Sequence, residues 1–273
     1  MQEQKISVVI RTLNEEKYLE ECLKAIFAQN IDRPLEVIIV DSGSSDSTIS
    51  IAQKFPVQIL TTEKESFSYG KSLNIGCQHA IGEYVVFLSA HAIPINTEWL
   101  QELAQGLDTT TAGVFSKQVP AKDANPLVRR FVSESWKDGH AIGFSNTSCI
   151  IKKRLWERIR FDESLVFAED IDWAEKIKRE GYTIKYNPRS VVYHSHNDSL
   201  GRFFKRSCAE LTEKTEKNKL FIYFRNTLHN LVDDIRYVIQ HHENIHWLFY
   251  SFVLFFVKIA VFLKIFASHP IQR

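Results

Sequence analysis

Polar residues follow two candidate buried strands near the start of the chain. The apolar run at residues 6–10 leads into Thr12 and Asn14, and the run at residues 35–40 leads into Asp41. Short β-branched runs that end in turn formers predict buried parallel strands. Because ligands bind at the carboxyl ends of such strands, we expect Thr12, Asn14 and Asp41 to lie together at the mouth of a site. The alternative for Asp41 is a purely structural role in capping the next turn.

A second group of candidate residues, the acidic pair Glu169 and Asp170, begins a predicted helix over residues 168–180. Carboxylates at a helix start are stabilised by the helix dipole, and one of them can be a simple cap. The alternative is chemical, because a carboxylate held at a helix start beside a cleft can act as a general base. The spacing alone leaves both roles open.

Histidines follow two other strand candidates. Ser89 and His91 come after the run at residues 83–88, and His194 and His196 come after a short run at residues 191–193. Imidazole nitrogens bind transition metals, although isolated His-x-His pairs are more often structural.

The elements that must position these residues alternate along the chain. Strand candidates at residues 6–10, 35–40, 57–60, 83–88 and 112–118 are separated by helical patterns. This alternation predicts an α/β fold with a mostly parallel sheet flanked by helices. We expect Asn14 to cap the first helix, a helix or flap over 127–136, and two short strands at 183–186 and 191–193.

Composition excludes one class of partner and indicates a compartment. The 34 basic and 33 acidic residues nearly cancel, so bulk charge gives no basis for nucleic-acid binding. The four cysteines form no CxxC pair, which is typical of reduced thiols in the cytosol. The first residues lack the apolar stretch of a signal peptide, so we expect the catalytic part to face the cytosol.

The last part of the chain is strongly apolar. Residues 245–267 are long enough to span a bilayer, but Lys258 and Lys264 interrupt them. We predict a domain over 1–215 and a membrane-associating helical region over 216–273, with both lysines reaching the headgroups at the membrane surface. Basic residues before it would add attraction to anionic lipid. A true span, or packing on the catalytic domain or a second subunit, are the alternatives.

Several segments together resemble a known family. Residues 6–15, 37–48, 69–84 and the Glu169–Asp170 pair resemble family 2 glycosyltransferases of GT-A fold, over about residues 5–200. The residues before and after that pair are similar to the bacterial branch that contains rhamnosyltransferases.

The resemblance implies an inverting transfer of a sugar from a nucleoside-diphosphate sugar to an acceptor hydroxyl. It gives Asp170 the role of catalytic base and places Thr12 and Asp41 at the nucleoside. Glu169 and Trp173 are implied at the acceptor or just behind it. The other residues implied at the donor are Asn14, Glu15, Lys71, Ser89 and His91.

The chain departs from the family at the metal motif, because Ser89-Ala90-His91 stands where Asp-x-Asp is usual. A hard oxygen site for Mg²⁺ is therefore doubtful, whereas imidazole suits Mn²⁺ better. Three readings stay open: His91 binds Mn²⁺ with His194 or His196, His91 contacts the diphosphate directly, or the chain has lost catalysis.

The sequence thus predicts a bacterial glycosyltransferase of surface-polysaccharide or lipid-linked glycan assembly. It would lie on the inner face of the cell membrane, act on a glycan or lipid-linked acceptor, and have C-terminal helices available for oligomerisation. The competing hypotheses are a non-catalytic sugar-nucleotide-binding relative and a membrane-associated scaffold.

Overall fold

The computed structural model of the chain describes residues 5–63, 67–121, 123, 144–165, 167–194, 199–213, 217–240 and 245–268. The chain divides into two compact units. One consists of Met1–Val119 and Ser135–Ser195, and the other of Pro120–Glu134 and His196–Arg273. The expected helix or flap over 127–136 and the imidazole of His196 lie outside the described residues.

The elements follow the predicted alternation. The strands are β1 (Ile6–Thr12), β2 (Leu35–Asp41), β3 (Gln58–Thr61), β4 (Tyr84–Ser89), β5 (Ile93–Pro94), β6 (Thr111–Val119), β7 (Ser148–Lys152) and β8 (Thr183–Tyr193). The helices are α1 (Leu19–Phe27), α2 (Thr48–Ala52), α3 (Tyr69–His79), α4 (Trp99–Gln105), α5 (Lys153–Arg158), α6 (Glu169–Arg179), α7 (Leu200–Glu213), α8 (Lys217–Gln240) and α9 (His246–Ser268).

The strands form one sheet in the order β3-β2-β1-β4-β7-β6-β8-β5. The first four strands of this order are parallel to one another, which confirms the predicted α/β fold. β7 runs antiparallel to both of its neighbours, β4 and β6. The register pairs Thr12 with Asp41 and Arg11 with Ser89, so the polar ends of β1, β2 and β4 meet at one edge.

Side chains of β1 alternate between two apolar layers, as expected for a strand buried on both faces. Val8 and Ile10 pack with α1 and α4, whereas Val9 packs with α3, α5 and α6. Full burial of each such side chain contributes about 1.5–3 kcal/mol. The layers therefore fix the height and tilt of the helices whose ends reach the polar edge.

Two local expectations were wrong, and one helix was not predicted. Asn14 does not cap the first helix, because it adopts a left-handed conformation (φ 56°) and α1 begins five residues later. The two short strands expected around Asn187 are one strand, β8, with an irregularity in its pairing with β6 after Ser116. The segment Leu200–Glu213, for which no helix was predicted, forms α7.

The second unit is helical. Its apolar core joins α7 to α8 and α9 through Cys208, Leu211, Leu220, Val261 and Ile265. Among the described residues, the segment Leu248–Ser268 is the one that is long and apolar enough to cross a membrane.

Candidate active site at the carboxyl edge of the sheet

The Asp41 carboxylate at the end of β2 is buried and fully hydrogen-bonded. Oδ1 accepts hydrogen bonds from the hydroxyls of Thr12 (2.7 Å) and Ser44 (2.6 Å). Oδ2 accepts from the backbone N–H groups of Gly43 (3.0 Å) and Ser44 (2.9 Å). Thr12 and Asp41 therefore lie together, as predicted, and their present contacts shape the turn after β2.

Asn14 joins the loop after β1 to the loop after β2. Its side-chain oxygen accepts a hydrogen bond from the Ser45 N–H (2.9 Å), and its own N–H donates to the Ser44 hydroxyl (2.8 Å). Asparagine tolerates left-handed backbone because its short side chain can bond locally. Asn14 therefore holds the two loops at the polar edge in a fixed relation.

Glu15, His91 and His194 form a chain of three side chains at the same edge. Nδ1 of His91 lies 2.9 Å from Glu15 Oε1, and its Nε2 lies 3.2 Å from Nε2 of His194. Since a carboxylate accepts, the contact with Glu15 places a proton on Nδ1 of His91, and only in the neutral ring does Nε2 then carry the lone pair that a metal needs. The structure thus brings His194 to His91, as the sequence predicted for a shared site.

The two imidazoles have a spacing that fits a divalent metal. Two nitrogens bound to one tetrahedral ion at about 2.0–2.1 Å lie about 3.3 Å apart, close to the observed 3.2 Å. The same distance also fits a hydrogen bond between the rings. Across the described parts of the chain, no three His, Cys, Asp or Glu side chains converge as a metal group. His91 and His194 would supply at most two ligands to an ion, and a bound molecule or water would have to complete the set.

Asp170 reaches this edge from the start of α6. Its Oδ2 accepts a hydrogen bond from the Asn146 N–H (3.1 Å) and its Oδ1 from the Ile171 N–H (2.8 Å). The residue after Asn146, Thr147, accepts a hydrogen bond from the Ser89 N–H (2.9 Å). Asp170 therefore lies beside the end of β4, and it remains partly exposed.

Burial perturbs both acidic residues at the start of α6. Burial raises the pKa of Asp170, and hydrogen bonds from the backbone of Asn146 and Ile171 oppose the rise. Burial also raises the pKa of Glu169, with a further rise from the neighbouring Asp170 charge. A carboxylate with a raised pKa beside a cleft is a better proton acceptor than an exposed one, which suits a general base.

Sequence reasoning did not single out Arg11, which the structure places next to these carboxylates. Its guanidinium lies over the Tyr69 ring, 4.7 Å from the centroid, and its Nη1 is buried with no hydrogen-bond partner. Its charge lowers the pKa of both Glu169 and Asp170, against the larger effect of burial. An arginine at the end of an otherwise apolar strand was the available signal.

The remaining predicted residues occupy different surroundings. Lys71 lies in the first turn of α3, which the Ser68 hydroxyl caps by accepting from the Lys71 N–H (3.1 Å). Ser89 ends β4 and is partly exposed. Trp173 is fully buried on the inner face of α6 and donates to the Ile159 carbonyl (2.8 Å). It therefore anchors the helix that carries Asp170.

Comparison with known proteins identifies the family. Residues 7–167 match the family described as Glycosyl transferase family 2. The chain belongs to this family. It is therefore a glycosyltransferase, as the family resemblance implied.

Two curated relatives to which this glycosyltransferase is similar are bacterial. It is 30% identical to the O-antigen chain rhamnosyltransferase RfbN of Salmonella typhimurium, over 74% of the chain and 70% of the relative. It is also 30% identical to the O-antigen chain rhamnosyltransferase WbaN of Salmonella anatum, over 66% of the chain and 62% of the relative. These relatives confirm the predicted similarity to bacterial rhamnosyltransferases.

Solved structures confirm the fold of this glycosyltransferase. The glucosyl-3-phosphoglycerate synthase of Mycobacterium tuberculosis, in complex with Mn²⁺, UDP and phosphoglyceric acid, gives a TM-score of 0.55 at 20% identity over 73% of each chain. A mannosyltransferase of Pyrobaculum calidifontis, in complex with GDP-Man and Mn²⁺, gives 0.54 at 20% identity over 99% of this chain and 77% of the other.

Proposed function

We propose that this glycosyltransferase inverts the anomeric centre of a nucleoside-diphosphate sugar as it transfers the sugar to an acceptor hydroxyl. The observation that carries the proposal is the position of Asp170. A partly exposed carboxylate with a raised pKa is held at the edge where Thr12, Asp41 and His91 also lie. That arrangement supports a base on the acceptor side and polar groups on the donor side of one cleft.

In the proposed step, the acceptor oxygen attacks the anomeric carbon and its proton moves to the Asp170 carboxylate. The bond from the anomeric carbon to the diphosphate oxygen breaks, and its electron pair leaves with the nucleoside diphosphate. Hydrogen bonds from the Asn146 and Ile171 N–H groups fix the carboxylate in place. A base held in this way supplies general-base catalysis of about 10²–10⁴-fold.

The departing diphosphate needs positive charge or hydrogen-bond donors, because it carries the new negative charge of the transition state. Lys71, in the first turn of α3, is the proposed cation for this end. His91 and His194 would hold a divalent metal, with Mn²⁺ preferred to Mg²⁺ for nitrogen ligands. When bound, such an ion stabilises charge on the phosphate oxygens.

Replacing Asp170 with asparagine tests the base. Asp170→Asn should lower transfer by about 10²-fold or more while donor binding persists. Asp172→Asn is the matched control, since Asp172 lies on the same helix and pairs with Lys176 (2.7 Å). Equal transfer by Asp170→Asn and wild type would favour a non-catalytic sugar-nucleotide-binding protein. Absence of nucleotide binding in wild type would favour a scaffold.

Donor titrations test the histidines. With Mn²⁺ present, His91→Ala should weaken donor binding, and a chelator should weaken wild-type binding toward the same level. His79→Ala is the control, because His79 is exposed on α3 and bonds the Ile75 carbonyl within its own helix (2.9 Å). A wild-type affinity that does not respond to the chelator would remove the metal and leave direct contact of His91 with the diphosphate.

The identity of the donor is open to a direct screen. Thermal shifts with UDP-, dTDP- and GDP-sugars, each with and without Mn²⁺, should single out one nucleotide class by the largest stabilisation, because a ligand that binds only the folded state stabilises it. Rhamnosyl donors are the first to test, given the rhamnosyltransferase relatives.

We further propose that the enzyme works at the inner surface of the cell membrane on a glycan or lipid-linked acceptor. One face of α9 is exposed and apolar over most of the helix length; it carries Phe249, Phe252, Phe256, Leu263 and Phe266. Their spacing places them on one stripe of the helix, which can enter the headgroup region.

Lys258 lies away from that stripe, contrary to the expectation that it reaches the headgroups. Burial lowers the pKa of Lys258 to about 8, and the Asp234 charge opposes the change. Lys264 lies over the Phe204 ring, 5.3 Å from its centroid. The apolar stripe is therefore free of lysine, which favours contact with lipid over contact with water.

Co-sedimentation with phosphatidylethanolamine–phosphatidylglycerol vesicles tests this location. The double variant Phe249→Ser and Phe256→Ser should bind vesicles several-fold more weakly than wild type. Ile81→Ser is the control, because Ile81 is equally exposed in the other unit. Unchanged vesicle binding would remove the stripe as the attachment surface, and dimers that dissociate in the double variant would assign it to a second copy.

A further inference from the structure

Arg11 is a buried cation whose position the donor and acceptor roles above do not explain. It ends the apolar run of β1 and lies on the same face of the sheet as Val9. Tyr69, at the start of α3, holds the guanidinium by stacking at 4.7 Å. The Tyr69 ring in turn lies 6.1 Å from the ring of Phe167, two residues before Glu169. Aromatic contacts thus fix Arg11 near the start of α6.

Among the described residues, one nitrogen of this cation has no direct partner. Nη1 of Arg11 is buried and has no hydrogen-bond acceptor, and no ion pair within 4.0 Å joins Arg11 to a carboxylate among the described residues. A buried donor without a partner is unfavourable, and stacking of the arginine on an aromatic ring offsets part of that cost. A strand residue with this cost needs a compensating interaction, and the nearby negative charge of α6 supplies one.

The groups that face the Asp170 carboxylate are few in the described chain. Glu169 adjoins it on α6, Arg11 approaches from β1, and the Cys149 thiol approaches from β7. Burial raises the pKa of Cys149 well above its ordinary value, so this thiol is neutral. Arg11 is therefore the one positive charge among these groups.

We propose that Arg11 is a positioning residue: its guanidinium, fixed on Tyr69, is the counter-charge that keeps Asp170 ionised and ready to accept the acceptor proton. The inference rests on the proposed role of Asp170 as the base. Without this charge, burial would favour the protonated acid, which cannot take a proton. Long-range charge suits this task, because a direct ion pair would occupy the carboxylate oxygens.

The pH dependence of kcat/KM tests the proposal. Arg11→Met removes the charge, so the acid limb of the profile should move to higher pH. At a pH on the acid limb, the variant should lose at least about threefold more activity than it loses on the plateau. Arg11→Lys keeps the charge and should leave the limb near its wild-type position. Arg11→Gln is a second neutral variant, used if Arg11→Met does not fold.

Arg33→Met is the matched control, because Arg33 stacks on Tyr84 (5.5 Å) at the opposite end of the sheet. Its acid limb should equal that of wild type. An unshifted limb in both neutral variants, or an equal shift in Arg33→Met, would overturn the proposal. Asp170→Asn separates the two hypotheses: if it retains transfer, the proposed base is wrong, whereas its loss with an unshifted Arg11→Met limb refutes the role of Arg11 alone.

Discussion

Replacing Thr12 with valine removes one of the four donors that reach the Asp41 carboxylate while keeping the volume of the side chain. The Thr12 hydroxyl donates at 2.7 Å to an acceptor that is only 1% exposed, so water cannot replace the lost donor. A hydrogen bond to a carboxylate contributes about 1.5–3 kcal/mol. We therefore expect Thr12→Val to lower the free energy of unfolding by that amount.

Thermal and urea unfolding measure this loss. For a chain of this size each kcal/mol corresponds to about 2–4 °C, so Tm should fall by about 3–12 °C. Thr12→Ser keeps the hydroxyl and should recover most of the loss. Thr62→Val is the neighbouring control, since the Thr62 hydroxyl makes only longer bonds, to the Asp41 carbonyl (3.3 Å) and the Ser42 hydroxyl (3.5 Å). It should cost less than about 1 kcal/mol.

Measurements of donor binding show whether Thr12 and Asp41 contact the donor or only shape the loop after β2. All four hydrogen bonds to Asp41 come from within the protein, so Thr12→Val should weaken donor binding only as far as it loosens the loop. If Thr12→Val is as stable as wild type and yet binds the donor at least about tenfold more weakly, the reasoning is refuted. The hydroxyl would then contact the nucleoside, as the family resemblance implies.

Two further changes test the packing around the acidic pair and α3. Burial and Asp170 raise the pKa of Glu169 above its ordinary 4.5, so ionising Glu169 costs stability as pH rises above that value. Glu169→Gln should therefore raise Tm at pH 8 and leave it unchanged at pH 4. An equal shift at both pH values would contradict this. A Cβ on Gly76 would overlap the Val9 side chain, so Gly76→Ala should cost about 1–3 kcal/mol in urea unfolding; Gly201→Ala, with no described atom within 4 Å, should be neutral or stabilising.

The sequence was sufficient for the parallel part of the sheet because the buried strands there have a strong local signal. Near-continuous β-branched runs, typical of strands buried on both faces, mark β1, β2 and β4, and turn residues mark their ends. Local reasoning failed at Asn14, where both a helix cap and a left-handed loop suit asparagine. Only the distant Ser45 N–H, 31 residues away, decides between them. Helix α7 was not predicted, because the basic residues of this segment were interpreted only as a source of attraction to anionic lipid.

The site could be assembled from the sequence only in part. Parallel register predicts that Thr12 meets Asp41, because both end adjacent strands. No spacing rule predicts that Glu15 reaches His91, 76 residues later, or that Arg11 stacks on Tyr69. The resemblance placed Trp173 at the acceptor or just behind it, and its full burial favours the second of these positions.

If Ser89-Ala90-His91 occupies the place of Asp-x-Asp, as the family resemblance implies, the charge that a donor diphosphate meets is changed. Two carboxylates facing a diphosphate would repel it unless a divalent cation lay between them. Here the carboxylate of Glu15 lies behind His91, on the side of Nδ1, and the imidazole edge of His91 faces His194. Repulsion is therefore smaller, so the donor should need a metal less than it would beside Asp-x-Asp. The gain in donor affinity on adding Mn²⁺ to wild type, and its loss in His91→Ala, measures how far this chain has exchanged metal bridging for direct contact with nitrogen.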